Sequence, residues 1–264
     1  MKLSIVIPLY NEESILWNMS AMIAEGCDKI VGKGNWEFVF VNNGSVDRTQ
    51  EILDDISKKW ESTRFVHVDK PNYGKALKAG IEASGTDLIH IINIEQWDMT
   101  FLAWCWDNRD VYGLILGSKR ADPTTNHQGF YRRILSWGLN SLLDIFFDFP
   151  GADTHGPKFL NKRKLKNILD ACVMDRGQYD TELTLRTLRD GIMVAECPAE
   201  YIEYRSPRNL MAKKIGWNLI AVTRMWLILR KIPYKSYIRL YRFTRYELLA
   251  SASKYSVTMQ KPIF

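Results

Sequence analysis

The run LSIVIPL at residues 3–9 limits the fold more than any other stretch of this chain. It is continuously apolar, so it reads as a strand buried on both faces, which requires covering layers on each side. Ile15, Leu16, Met19, Met22 and Ile23 then recur at helical spacing, with Glu12 and Glu13 where a helix start favours negative charge. The same alternation repeats. WEFVFVNN (36–43) is a strand, followed by a helix on Ile52, Leu53 and Ile56 with Ser45 or Asp47 as its cap. RFVHV (64–68) precedes a helix over 74–84. DLIHIINIE (87–95) precedes a helix containing Leu102 and Trp106, and YGLILGSKR (112–120) closes the series. This rhythm predicts an α/β fold with a mostly parallel, doubly wound sheet flanked by helices. Ligands of such sheets lie beyond the carboxyl ends of strands. Tyr10–Glu12, Asn42–Asn43, Lys70–Lys75 and Asn93–Asp98 are therefore expected around one crevice.

The second half is less regular. A polar loop (121–129) leads to an apolar helix near 130–147, and GADTHGPK (151–158) to a short strand around Phe159. Helices are expected over 163–172 and 179–190, the second ending at Gly191, then a strand over 192–198. From 215 onward the pattern is helical, interrupted at Pro233. Charge divides the chain in the same place. The net charge is +6, yet residues 205–245 hold eleven Lys/Arg and no Asp or Glu, so the remainder is acidic. We divide the 264 residues into a domain at 1–206 and a basic, aromatic-rich helical segment at 207–264. Basic residues interleaved with Trp217, Trp226, Tyr234, Tyr237, Tyr241, Phe243 and Tyr246 suit a helix lying on an anionic membrane surface. A packed helical pair with solvated charges is the competing reading. No nucleic-acid partner is expected, since no such module is recognisable. No stretch has the length of uncharged apolar sequence that a transmembrane helix needs. Cys27, Cys105, Cys172 and Cys197 form no CxxC pair and read as free thiols. His90, Trp97, Trp104 and Trp106 read as packing residues.

No GxGxxG follows the first strand, and Gly74-Lys75 lacks the spacing of a P-loop, so those nucleotide folds are excluded. What remains resembles glycosyltransferase family 2, GT-A type, in its polyprenyl-phosphate (dolichol-phosphate mannose synthase-like) branch. IVIPLYNEE (5–13), VNNGSVDRT (41–49), NYGKALKAG (72–80), GSKR (117–120), RRILSWGLN (132–140), DTHGPK (153–158) and ELTLRTLRDGIMVAECPAEYIEYR (182–205) carry the resemblance, in the family's order, across residues 3–206.

The resemblance implies a GT-A-type Rossmann-like fold and a UDP- or GDP-linked sugar donor. It implies that Pro8 is a substrate-binding position, that Tyr10, Asn11 and Glu12 border the nucleoside, that Asn43 meets the base edge, and that Lys75 and Arg205 approach the diphosphate. Two motifs depart from it. Asn42 and Asn43 stand where the family has aspartates, and Asn93-Ile94-Glu95 replaces its DxD metal motif. Mg2+ or Mn2+ would then rest on Glu95, with Asp98 as substitute ligand and Asn93 offering a carbonyl. Arg120, Arg132 and Ser136 match positions that hold an acceptor phosphate. A hydroxyl acceptor would instead need a base, for which Asp153 and Glu182 are the candidates.

The expected function is inverting transfer of a sugar to a polyprenyl-phosphate-type lipid on the cytoplasmic face of a membrane, with the protein peripherally bound. A hydroxyl-directed transferase of the same fold and a non-catalytic nucleotide-sugar-binding homologue are the alternatives.

Overall fold

The computed structural model describes residues 2–118, 144–147, 149, 151, 153–200, 211–230 and 240–257, with only the backbone path over 211–219. Eight strands form one sheet: β1 (Leu3–Leu9), β2 (Trp36–Asn42), β3 (Thr63–His67), β4 (Leu88–Ile91), β5 (Leu114–Ser118), β6 (Lys158–Asn161), β7 (Val194–Pro198) and β8 (Leu240–Arg242). Their order is β3-β2-β1-β4-β6-β5-β7-β8, and only β6 runs antiparallel to its neighbours. This is the mixed, mostly parallel α/β sheet expected from the sequence. The chain steps outward from β1 to β3 and then returns to β4 on the other side of β1. That reversal opens a crevice at the carboxyl ends of β1 and β4.

The helices are α1 (Leu16–Ile30), α2 (Thr49–Lys59), α3 (Tyr73–Ala83), α4 (Met99–Asp107), α5 (Lys162–Ala171), α6 (Gln178–Arg189), α7 (Met211–Leu229) and α8 (Arg245–Lys254). They cover both faces because β1, β2, β5 and β7 are buried on both. Leu3, Ile5, Ile7, Leu9, Phe38 and Phe40 face a core shared with α1, α2, α4 and α8. The intervening Val6, Val39 and Val41 face a second core shared with α3, α5, α6 and α7.

Three details depart from the sequence reading, and one expectation lies mostly outside the described residues. β4 ends at Ile91, because residues 93–96 close a turn through an Asn93–Gln96 bridge. Arg48 caps α2, while Asp47 Oδ1 accepts the Thr49 amide at 3.0 Å. The expected helix near 130–147 falls mostly outside the described residues, with 144–147 helical. The C-terminal segment is not wholly helical. Residues 240–242 form β8, parallel to β7, and α8 packs its Leu248 and Ala252 into the first core. Phe243 packs at a tilt against Trp104 with centroids 4.4 Å apart, so this aromatic is used in packing. Lys254 and Tyr255 both reach Asp107, at 2.7 and 2.6 Å. The division at 206/207 therefore separates sequence character, whereas 240–257 shares the main sheet and core.

His90 and Trp104 are buried in packing, as expected, and the four cysteines are free and buried. His90 sits beside the Phe101 and Phe159 rings and its Nδ1 lies 3.0 Å from the Lys158 carbonyl. Burial pulls its pKa down to about 4. The folded state thus resists a proton that the unfolded chain accepts at its ordinary value of about 6.5. Stability contributed by neutral His90 is complete above pH 6.5 and is lost as pH falls toward 4. We expect a loss of about 2 kcal/mol by pH 5 from this group. Urea unfolding at pH 7 and pH 5 should show that loss, and His90→Leu should reduce the difference by the same amount.

Candidate functional site

The crevice is assembled from loops that are bonded to one another. After β1, Asn11 adopts a left-handed backbone (φ 56°). Its amide donates to Ser45 Oγ at 3.1 Å, and its Oδ1 accepts the Val46 amide at 2.9 Å. An amide side chain stabilises this otherwise unfavourable conformation by bonding locally. The Glu12 amide donates to Thr49 Oγ1, and Glu13 and Asp47 exchange bonds with the start of α2. Burial and hydrogen bonds act in opposite senses on Asp47, and the bonds hold its carboxyl below the usual range. Tyr10 stands at the mouth, 40% exposed, and Pro8 lies inside β1, paired in register with Val41.

Asn42 and Asn43 take different positions. Asn42 is structural: its Oδ1 accepts the Ser45 amide at 3.0 Å and its Nδ2 donates to Gln50 at 2.8 Å. Asn43 bridges the crevice, because its Oδ1 accepts the Asn72 amide at 2.7 Å. Asn72 in turn caps α3 through the Lys75 amide, and the same Oδ1 accepts the Arg176 amide at 2.9 Å. Its Nδ2 donates to Asp175 at 3.1 Å. Gly74 permits this approach, since a Cβ there would meet the Arg176 backbone at 2.7 Å. Lys75 is thereby held at the exposed first turn of α3, where a cation and helical N–H groups face the same space. The 93–96 turn closes the opposite wall, with Tyr73 OH 3.4 Å from Asn93 Oδ1.

The metal ligands proposed from sequence are not equivalent. Asp98 is 7% exposed and caps α4: its Oδ1 accepts the Thr100 amide, the Thr100 hydroxyl and the Phe101 amide. Its Oδ2 accepts the Glu200 amide at 3.0 Å. Capping bonds engage both oxygens, so the structure gives Asp98 the part of a helix cap. Glu95 remains as the half-buried carboxylate of the turn. Among the described residues no group of three or more His, Cys, Asp or Glu could hold a metal. One carboxylate does fit an ion whose other ligands are substrate phosphates and waters.

Glu182 is likewise held by its neighbours. It is fully buried; its Oε2 accepts the Val173 and Met174 amides, and its Oε1 pairs with Arg186 at 2.8 Å. These bonds fix the loop before α6 and engage both carboxylate oxygens. Asp153 lies elsewhere, in the loop before β6. Its amide donates to Glu196 at 3.2 Å and its Oδ1 accepts the His155 amide at 3.0 Å. Arg120, Arg132, Ser136 and Arg205 lie outside the described residues.

The sequence reading missed Asn72, Lys158 and Asp180. Asn72 had a readable signal, a cap residue directly before Tyr-Gly-Lys. Lys158 and Asp180 are each 1% exposed and pair at 3.1 Å, and the Lys158 ammonium also donates to the Gly156 carbonyl at 2.9 Å. A lysine entering the apolar run KFL was the available clue.

Residues 4–94 match the family model for glycosyl transferase family 2. That stretch builds β1 to β4 and the crevice between them, so the resemblance read from the motifs is borne out where the crevice is made. The chain is 25% identical over 239 residues to a probable glycosyltransferase, YdaM, of Bacillus subtilis, covering 82% of this chain and 53% of that protein. It is 27% identical over 219 residues to dolichyl-phosphate beta-glucosyltransferase ALG5D of Trichomonas vaginalis, covering 76% of this chain and 65% of that protein. The chain thus spans between half and two thirds of the length of these relatives. Its fold is similar to glucosyl-3-phosphoglycerate synthase from Mycobacterium tuberculosis, solved with Mn2+, UDP and phosphoglyceric acid, at TM-score 0.59 and 20% identity over 89% of this chain and 80% of that one.

Proposed function

We propose, with the family 2 match over the crevice as premise, that this chain transfers a sugar from a nucleoside diphosphate sugar to a polyprenyl-phosphate-type lipid, with inversion. The observation that carries the reading is the bonded chain Asn11–Ser45, Asn43–Asn72 and Asn72–Lys75, which joins three separated motifs into one wall. The name of one relative, a dolichyl-phosphate beta-glucosyltransferase, supports the choice of acceptor.

In this reading Tyr10, Asn11 and Glu12 border the nucleoside, and Asn43 Nδ2 donates to the base edge. The acceptor phosphate is already largely dianionic at neutral pH, since its second pKa is about 6, and needs no base. Arg120, Arg132 and Ser136 orient it. Its oxygen attacks the anomeric carbon as the bond to the nucleoside diphosphate breaks. Lys75 and Arg205 stabilise the departing diphosphate. Mg2+ or Mn2+ arriving with the diphosphate would be held by Glu95 and would supply further positive charge to it.

Glycolipid formation from a panel of UDP- and GDP-sugars with polyprenyl phosphate and Mg2+ or Mn2+ is the expected result. Transfer only to a sugar hydroxyl would overturn the acceptor assignment. In that event Asp153→Ala should abolish turnover, with Asp153 as base. Donor binding without transfer or hydrolysis would favour the non-catalytic alternative.

Glu95 and Asp98 separate by readout. Glu95→Gln should raise the Mg2+ concentration for half-maximal turnover by about tenfold, the loss of a charged ligand. Asp98→Asn should leave that concentration unchanged and cost about 1 kcal/mol in thermal unfolding.

Membrane docking belongs to the same proposal. No helix among the described residues is long and apolar enough to cross a membrane. α7 exposes Ile220, Arg224 and Leu227 along one side, an apolar and basic stripe suited to an anionic surface. Co-sedimentation with anionic vesicles at low salt is expected, and Leu227→Glu should weaken it about tenfold.

A further inference from the structure

A cavity lies at the opposite ends of the strands from the crevice. It has a volume of about 700 Å³ and is lined by residues that start β1 and β4, end α3 and begin α5. Ile81, Leu88, Trp106, Leu169 and Tyr179 contribute the apolar part. The volume and the apolar lining suit a small organic molecule.

The charge at its rim is uneven, with six basic side chains and three acidic ones. Arg163 pairs with Asp87, and Lys166 pairs with Asp170 at 2.8 Å. Lys162 is directed to the Glu82 and Ser84 carbonyls, each at 3.3 Å. Arg109 stacks over Trp106 at 4.5 Å. Lys2 and Lys78 have no carboxylate partner among the described residues. Tyr179 is a separate observation. It is 1% exposed and lines the cavity. Burial raises its pKa, so it remains a neutral phenol able to donate. A phenol that lines a cavity can donate to an anionic oxygen bound there.

We infer that this cavity binds a phosphate monoester with an apolar body, its phosphate between Lys2, Lys78 and the Tyr179 hydroxyl and its apolar part against Leu88 and Trp106. The site is separate from the crevice, although α3 carries Lys75 into one and Lys78 into the other.

Calorimetric titration of the intact protein with phenyl phosphate tests this. One saturable site is expected, with inorganic phosphate and benzyl alcohol each binding at least about tenfold more weakly. Lys78→Met and Tyr179→Phe should each raise the Kd about tenfold, and Lys75→Met should leave it unchanged. Lys78 is half-exposed on a helix, so its variant keeps the test valid if Tyr179→Phe unfolds. No saturable binding, equal binding by inorganic phosphate, a Kd unaffected by Lys78→Met, or loss only in Lys75→Met would each overturn the inference. A parallel arm uses vesicles containing phosphatidic acid. Read in a Leu227→Glu background, where α7 docking is weakened, vesicle binding that Lys78→Met reduces identifies a lipid headgroup as the source, and vesicle binding that it leaves unchanged, beside a raised Kd for phenyl phosphate, identifies a free phosphate ester.

Discussion

Replacing Asp180 with Asn should destabilise the protein by about 3–5 kcal/mol in urea unfolding at pH 7, the range for leaving one charge of a buried pair uncompensated. Lys158 and Asp180 are each 1% exposed, so solvent can do little for a lone ammonium there. Lys158→Met should cost a comparable amount by stranding the carboxylate. The double variant Lys158→Met, Asp180→Leu removes both charges and keeps the volume, so most of the stability should return. Turnover should not return with it. The Lys158 ammonium also donates to the Gly156 carbonyl, and the Thr154 and Thr181 hydroxyls meet at 2.9 Å, so the pair fixes the 153–157 loop to α6. A purely structural pair would give a double variant that is both stable and active, and that outcome would remove Lys158 as a positioning residue.

The same pair marks where the sequence stopped being legible. The strand and helix order through β5 could be read because burial on two faces writes a continuous apolar run, and each intervening helix has its own period. The crevice could be read for a related reason: residues just beyond parallel strands converge whatever their separation along the chain. Side-chain partners could not be read. Glu182 and Asp98 have the composition of a base and a metal ligand, and only the structure gives their oxygens to backbone amides. Glu196 illustrates the same limit. It lies inside strand β7, 1% exposed, and joins the Asp153 amide to Arg242 of β8, at 3.2 and 3.3 Å. A basic tail residue is thereby linked to the loop before β6, a connection invisible to charge counting.

Gly156→Ala should lower turnover about a hundredfold or more while leaving donor binding close to normal. The sequence presents GSKR and DTHGPK as two separate motifs, and in the fold they touch. An added Cβ at Gly156 would overlap the Gly117 carbonyl oxygen, which is backbone and has no rotamer to change. The Gly117 amide donates to the Pro157 carbonyl at 2.8 Å, so the two segments cannot separate without breaking that bond. A Cβ at Gly117 would in turn meet Pro157 at 2.6 Å and Ala199 at 2.9 Å. The 153–157 loop must therefore move by roughly an ångström, and a displacement of that size in a positioning element can cost about 10²-fold in rate. The nucleoside wall at 8–12 and 43 sits at the ends of β1 and β2, whereas this loop leads into β6 on the far side of β4, which is why donor affinity should hold. Gly177→Ala is the matched control: its Cβ would have only His155 Nε2 nearby, at 3.8 Å. Equal turnover in the Gly156 and Gly177 variants would show that the loop's place is not set by the two-glycine contact.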